Sequence, residues 1–442
     1  MTPKIARREP NTLLIYGAAA GVIAVWWAML WSIGMTERSD GRVMLIAIAI
    51  PALLVAFFRD PFGMLCLIVF SLPFSLGVLQ VEIGIITFSP YTMGVIGALC
   101  VAFAGVLFGQ LRFRPVPEDL LALLLGFSFL LSTLGAKDIT EGGYLAFHGV
   151  FIPIVTYFVV KILVRTPEQY RKIIIAFVAG ITVFALYGLI QFALQPQRLK
   201  ILNMSSISAA ALMTSALIVV FYSGWWRHVL GKLAVLLLLP ALVTTFARGY
   251  LVLLLLTPLF YVVFRRGRGV MFISVMLIGS LIGTLIFSQM PGVFEPGNAD
   301  RGAEQTAERL TDLDYWKQAL YGRAIHYAEG LEKFAESPIL GNGFHMGSDK
   351  QGVRAIVWHN FHVEWLEYGG LLGYLLYMIL LMVHFGGVAR AARKDKVLAI
   401  NSVVIITVLL NGLTNSFSAG LSPYLGFLFM ALSRSHQSLL RK

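Results

Sequence analysis

The chain has 442 residues, of which 58% are hydrophobic and 13% charged, and its mean hydropathy is +0.78. A water-facing surface of that extent needs about twice the charge. Soluble domains, disorder, a coiled coil and a disulfide scaffold are therefore excluded, and a bilayer is the expected solvent. The net charge of +12 fits either a polyanionic partner such as nucleic acid or membrane topology.

A helix needs about 20 mostly apolar residues to cross roughly 30 Å of hydrocarbon. In chain order the expected spans lie near 11–35, 43–58, 61–80, 84–108, 119–134, 144–164, 173–194, 205–223, 229–247, 249–264, 270–290, 361–387, 397–413 and 416–433. Two of these, 43–58 and 249–264, are short, so twelve to fourteen crossings are expected. The fold class is all-α, a polytopic transmembrane helical bundle. Lys4, Arg7 and Arg8 precede the first span, which is too long for the apolar core of a signal peptide and reads as a retained anchor. Cys66 and Cys100 fall inside apolar spans and read as small hydrophobes, without a redox or metal motif.

The segments between spans alternate in charge. One set holds Lys4, Arg7 and Arg8; Arg112 and Arg114; Lys161, Arg165, Arg171 and Lys172; Arg227 and Lys232; Arg265, Arg266 and Arg268; Arg390, Arg393, Lys394 and Lys396; and Arg434, Arg441 and Lys442. With the acids among them this set carries +16, and the rest of the chain −4. The positive-inside rule assigns the basic set, and with it both termini, to the cytoplasm. The positive charge is then an orientation signal, and nucleic acid is dropped as a partner.

Three parts follow: an N-terminal transmembrane bundle over 1–290, a polar loop over 291–360 and C-terminal transmembrane helices over 361–442. The loop carries 7 basic and 10 acidic residues. Sidedness puts it outside, which is the periplasm if the cell is Gram-negative, and a loop this long is uncommon unless functional. A helix is expected from 304 to 335, stopped by Ser337-Pro338 and followed by the turn Gly341-Asn342-Gly343.

Several residues stand out by position. In the loop helix Trp316, Leu320, Tyr327, Leu331 and Phe334 share one face, and Arg323 sits in their register. An arginine there calls for an anion or carboxylate, or else snorkels or pairs with the loop's own acids. Arg248 lies between two apolar runs on the side where arginine is disfavoured. Its planar fork suits a phosphate or diphosphate, although a helix-end arginine also reaches lipid headgroups. His359 closes the loop and has the side chain suited to proton transfer near neutral pH, or serves as a polar anchor. Glu364 and Glu367 follow; Glu367 could orient His359 or complement the helix N-terminus. His345 and His362 are further supporting candidates. The spacing of His345, His359, His362 and Glu364 matches no metal pattern, so no metal and no cofactor is expected. Tyr315, Trp316, Tyr321, Tyr327, Phe344 and Trp358 stud the loop and suit packing more than sugar stacking.

The order of these features resembles the bacterial O-antigen ligase and O-antigen polymerase superfamily. The matching residues are Thr245-Phe246-Ala247-Arg248-Gly249, then Arg323 leading to Ser337-Pro338-Ile339-Leu340-Gly341-Asn342-Gly343. After them come His359-Asn360 and Glu367-Tyr368-Gly369-Gly370-Leu371-Leu372-Gly373. Many relatives carry serine where this chain has Ala247, a minor departure. The motif region covers roughly 240–385 and resembles the ligase branch more than the polymerase branch. The resemblance implies a membrane glycosyltransferase fold of the GT-C-like type in the bacterial inner membrane, with a periplasmic loop capping a cavity. It also implies transfer of polysaccharide from an undecaprenyl diphosphate-linked donor to a sugar hydroxyl of a lipid A–core acceptor, without metal or nucleotide sugar. In that reading Arg248 and Arg323 bind the diphosphate, and His359 is the general base of an inverting displacement. Membrane lipids are the remaining partners. The alternatives are an O-antigen polymerase on the same carrier, a protein O-oligosaccharyltransferase, which usually carries more sequence after the motif region, and a transporter, against which no inverted repeat is found.

Overall fold

Local sequence signals set the helix starts. Asp60 accepts from Gly63 N (2.9 Å) ahead of α1, Pro61–Ser71. Ser89 accepts from Thr92 N (3.1 Å) ahead of α2, Pro90–Leu107, whose proline supplies the first turn. The Asp119 carboxylate reaches back to Val116 N (2.7 Å) at the head of α3, Pro117–Leu134. Asp138 caps α4, Ile139–Ala146, which runs through a π-turn at Phe147–Phe151 into α5, Ile152–Leu163. Then come α6, Pro167–Leu194; α7, Ser206–Ser223; α8, Val229–Thr244; α9, Arg248–Arg265; and α10, Gly269–Ser288. After these follow α11, Leu313–Glu336; α12, Phe361–Ala392; α13, Lys396–Gly412; and α14, Ser422–Leu440.

The computed structural model describes residues 59–74, 81–83, 86–136, 138–194, 204–289, 313–345, 347–348, 355–356, 360–412 and 422–440. The spans expected at 11–35 and 43–58, the start of the loop helix at 304–312, and His359 lie outside these residues.

Among the described residues, seven helical spans are long and apolar enough to cross a membrane, and four shorter apolar helices accompany them. Large apolar side chains also face outward in rows: Leu120, Leu123, Phe127, Leu130 and Leu134 on α3, and Met271, Val275, Ile278, Ile282 and Leu285 on α10. Helices apolar on both their inner and outer faces are stable only when hydrocarbon covers the outside. The protein is thus a helical, multi-pass membrane bundle. In α7, 78% of the span is buried, against 22% in α9 and α10, so α7 is central and the latter two peripheral. Polar side chains tie neighbours together inside the apolar core: Tyr91 to Thr156 (2.8 Å), Tyr222 to Thr257 (3.0 Å), and the Tyr170 hydroxyl donating to Asn401 Oδ1 (3.0 Å).

Several expected boundaries shift. The span expected at 84–108 begins only at Pro90, because β-branched residues before it pair as an antiparallel hairpin, β1 Val81–Ile83 with β2 Ile86–Phe88. A second short hairpin, β3 Gly347–Ser348 with β4 Ala355–Ile356, lies in the polar loop. Cys66 packs against the core, whereas Cys100 is exposed rather than packed.

The largest departure is in α12, which is two helices joined at a break. Gly370 has φ 61° and ψ −171°, outside helical geometry. His362 Nδ1 lies 2.9 Å from the Tyr374 hydroxyl, and the rings of Trp365 and Tyr377 stack at 4.0 Å. A straight helix holds residues twelve apart about 18 Å along its axis, so both contacts require a sharp bend at Gly370.

Successive short turns give the bundle two distinct ends. One, the basic end, gathers the 108–116 segment, the α5–α6, α9–α10 and α12–α13 turns and the C-terminus of α14. The other, the loop end, gathers the α8–α9 turn, the Ser337–Phe344 segment and the start of α12.

Candidate functional site

A broken helix frees backbone groups that hydrocarbon leaves unsatisfied, so something else has to bind them. The segment Ser337–Phe344 does so. Leu371 N donates to Pro338 O (2.9 Å) and Leu372 N to Ile339 O (3.1 Å). In the other direction Asn342 N donates to Glu367 O (2.8 Å) and Gly343 N to Tyr368 O (3.1 Å). Ser132 of α3 closes the arrangement: its hydroxyl donates to Tyr368 O and accepts from Gly343 N (2.9 Å). Phe344 packs on Phe129 and Tyr368, with ring centroids 5.2 and 4.8 Å away. The Pro-Ile-Leu-Gly-Asn-Gly run is therefore a latch across the break in α12.

The latch leaves Phe361–Gly369 as a short, entirely buried half-helix. Asn360 heads it. Its Oδ1 accepts from His362 N (2.9 Å) and Val363 N (3.3 Å), and its Nδ2 donates to Thr284 Oγ1 (2.9 Å) on α10.

The loop helix α11 packs on α10 and α12. As the apolar stripe predicts, Tyr327 is buried and Leu331 and Phe334 pack against the core, with Arg323 half-buried among them. The side chains of Trp316 and Leu320 lie outside the described residues. The Tyr327 hydroxyl hydrogen-bonds Asn360. Burial raises the Tyr327 pKa; the Asn360 bond and the Arg323 charge oppose the rise, and the Glu364 charge adds to it. Arg323, Tyr327, Asn360 and Glu364 thus form one electrostatic group. In sequence, His359 is the residue next to Asn360.

Glu367, one turn further along the half-helix, is fully buried, and its Oε1 lies 3.3 Å from His345 Nε2. His345 Nδ1 is 3.1 Å from Gly343 O. An imidazole set between a carbonyl and a carboxylate satisfies both acceptors when both nitrogens carry protons, so this geometry suits an ion pair. Among the described residues, Glu367 meets His345; its expected neighbour His359 lies outside them. His362 has both ring nitrogens engaged, Nε2 with Ser280 Oγ (2.7 Å) and Nδ1 with Tyr374, and braces the bend.

Arg248 is set by a separate turn. Phe246 adopts a left-handed φ of 52°, and Thr245 is buried with its hydroxyl donating to Leu242 O (2.6 Å) and accepting from Ala247 N (3.2 Å). This places Arg248 half-buried at the head of α9. Beside it, Gly249 faces Asn411 at the end of α13, and the Tyr250 hydroxyl faces Ser422 and Asn411. Among the described residues no group of three or more His, Cys, Asp or Glu is arranged to hold a metal ion.

Sequence reasoning missed Ser132, the latch and the partners of His362. The signal for the latch was present: a Gly-Gly pair inside an apolar run, preceded by a Pro- and Gly-rich segment, is how a broken membrane helix and its cover read.

The class defined by this fold and site is a multi-pass helical membrane protein whose polar loop closes over a broken helix. No known family's model matches the chain, and no curated protein matches it.

Proposed function

We propose that the chain is an inner-membrane glycosyltransferase of the O-antigen ligase type. It moves polysaccharide from undecaprenyl diphosphate to a sugar hydroxyl of lipid A–core on the periplasmic side. The observation that carries this reading is the group Arg323–Tyr327–Asn360–Glu364. It brings a guanidinium suited to phosphate together with the residue next to His359, at the end of the bundle away from the basic turns. The positive-inside rule then puts this end in the periplasm and both termini in the cytoplasm.

A sugar diphosphate already carries a good leaving group, so the protein supplies charge stabilisation and deprotonation. The acceptor hydroxyl attacks the anomeric carbon and His359 takes its proton. The bond from that carbon to the diphosphate oxygen breaks as the new glycosidic bond forms, which inverts the centre. Undecaprenyl diphosphate leaves with its charge met by Arg248 and Arg323.

Deletion of the gene in its host, followed by analysis of both lipid pools, tests the reading. A ligase deletion leaves full-length polymer on undecaprenyl diphosphate and bare lipid A–core. Single repeats on the carrier identify a polymerase instead. Two normal pools sink both.

A further inference from the structure

At the basic end, a cavity of about 420 Å³ opens between the Arg112–Val116 segment, the end of α5 and the last turns of α14. Five cations line it: Arg112, Arg114, Lys161, Arg165 and Arg434. Two have acids beneath them. Lys161 Nζ donates to Asp119 Oδ1 (2.6 Å), and Arg434 pairs with the buried Glu118.

The other three have no carboxylate partner among the described residues. Arg165 is held by carbonyls, its Nε donating to Ile162 O (2.8 Å) and its Nη2 to Arg112 O (3.1 Å). Burial, then the like charge of Arg112, hold the Arg165 guanidinium below its ordinary pKa. Three arginines in one concavity repel one another, and their planar forks match tetrahedral oxyanions. The cavity also sits where apolar helices end, at the level of lipid headgroups. Phe113 is part of its wall, with Lys161 Nζ 4.8 Å over its ring.

We propose that this cavity binds a phosphate group, that of an anionic phospholipid headgroup, at the end of the bundle opposite the loop. The orientation signal in the sequence asks only for positive charge near these turns. A walled cavity whose surplus charge is all arginine asks for a specific anion. The site stands apart from the glycosyl-transfer reading and does not depend on it.

The test uses the full chain purified in neutral detergent, with thermal unfolding followed against added phosphatidylglycerol, phosphatidylcholine or inorganic phosphate. Phosphatidylglycerol is expected to raise Tm and phosphatidylcholine to leave it unchanged. Arg112 and Arg114 are exposed and carry no ion pair among the described residues, so an Arg112→Gln/Arg114→Gln variant is expected to fold. It should lose about fivefold in lipid affinity per arginine replaced. The charge-matched Arg266→Gln/Arg268→Gln variant should keep wild-type affinity. Stabilisation by inorganic phosphate that removes any further effect of lipid would uphold a phosphate site but overturn the lipid as its source. Equal stabilisation by phosphatidylcholine, or equal losses in the two double variants, would overturn the cavity as a site.

Discussion

Gly341 and Gly370 stand face to face, both with positive φ (79° and 61°), and each fills the space that a side chain on the other would occupy. The Cβ of a residue at 341 would run into the backbone of Tyr368 and Gly370; one at 370 would run into Ile339 and Gly341. Two glycines 29 positions apart thus make the close backbone approach on which the latch depends.

Replacing either glycine combines a disfavoured left-handed backbone with a collision. Gly370→Ala and Gly341→Ala are each expected to destabilise the protein by at least ~2 kcal/mol. Thermal unfolding in detergent reads the effect, and an unchanged Tm in both would show that the latch does not hold the break. Gly279 and Gly283 on α10 have open space where a Cβ would stand and normal helical φ, so alanine there serves as the control.

Arg323 is predicted to act through its fork and not through charge alone. Arg323→Lys should lower the transfer rate by about 100-fold or more, close to the effect of alanine. His359→Ala should bind donor but not turn it over. Full turnover in Arg323→Lys would remove diphosphate recognition by this guanidinium from the mechanism.

The His345–Glu367 contact is measurable as a coupling. A double-mutant cycle with His345→Ala and Glu367→Gln should return about 0.5–3 kcal/mol of interaction in unfolding free energy, the range for side chains in direct contact. Additive effects would show that the two side chains only share a neighbourhood.

Asp395, in the turn between α12 and α13, gives a pH-dependent prediction. Burial pushes its carboxyl up, but the hydrogen bond with His436 (3.1 Å), the N–H groups of Leu398 (3.0 Å) and Val397 and the His436 charge outweigh this, so its pKa lies below the ordinary 3.8. A depressed folded pKa means that the stabilisation is fully present above pH 3.8 and is lost as pH falls through the lower, folded value. Asp395→Ala should therefore cost about 1–2 kcal/mol at pH 7, and the gap to the wild type should close in acid below pH 3.8. A gap of constant size at pH 3 would show that the charge is irrelevant.

The bilayer, the helix positions and the two charged ends were legible because each rests on local composition. The long apolar runs of α6 and α7 and the Arg265-Arg266 and Arg393-Lys394 turns need no partner to be recognised. Arg323 was legible for the same reason: it interrupts a periodic apolar face. The break in α12 was hidden because Gly369-Gly370 lies in a run hydrophobic enough to read as one span. The residues that complete it, Ser132 and Pro338–Gly343, come from distant parts of the chain. Pairings such as Glu367 with His345 were also out of reach, since helical spacing registers neighbours on one helix and not those a latch brings across.

The latch also bears on how the molecule is made. Ser132 and Gly343 are 211 positions apart, and Ser132 and Tyr368 are 236 apart. During synthesis α3 is complete long before either partner exists, and its Ser132 hydroxyl has to find another acceptor meanwhile, as Ser128 and Thr133 do in carbonyls one turn back. The first half of α12 can settle only after the loop has been made and folded back onto it. Assembly of the loop end is therefore a late step of biogenesis, and a chain ending before Leu372 would have its early helices inserted while the cleft beside α3 stays open.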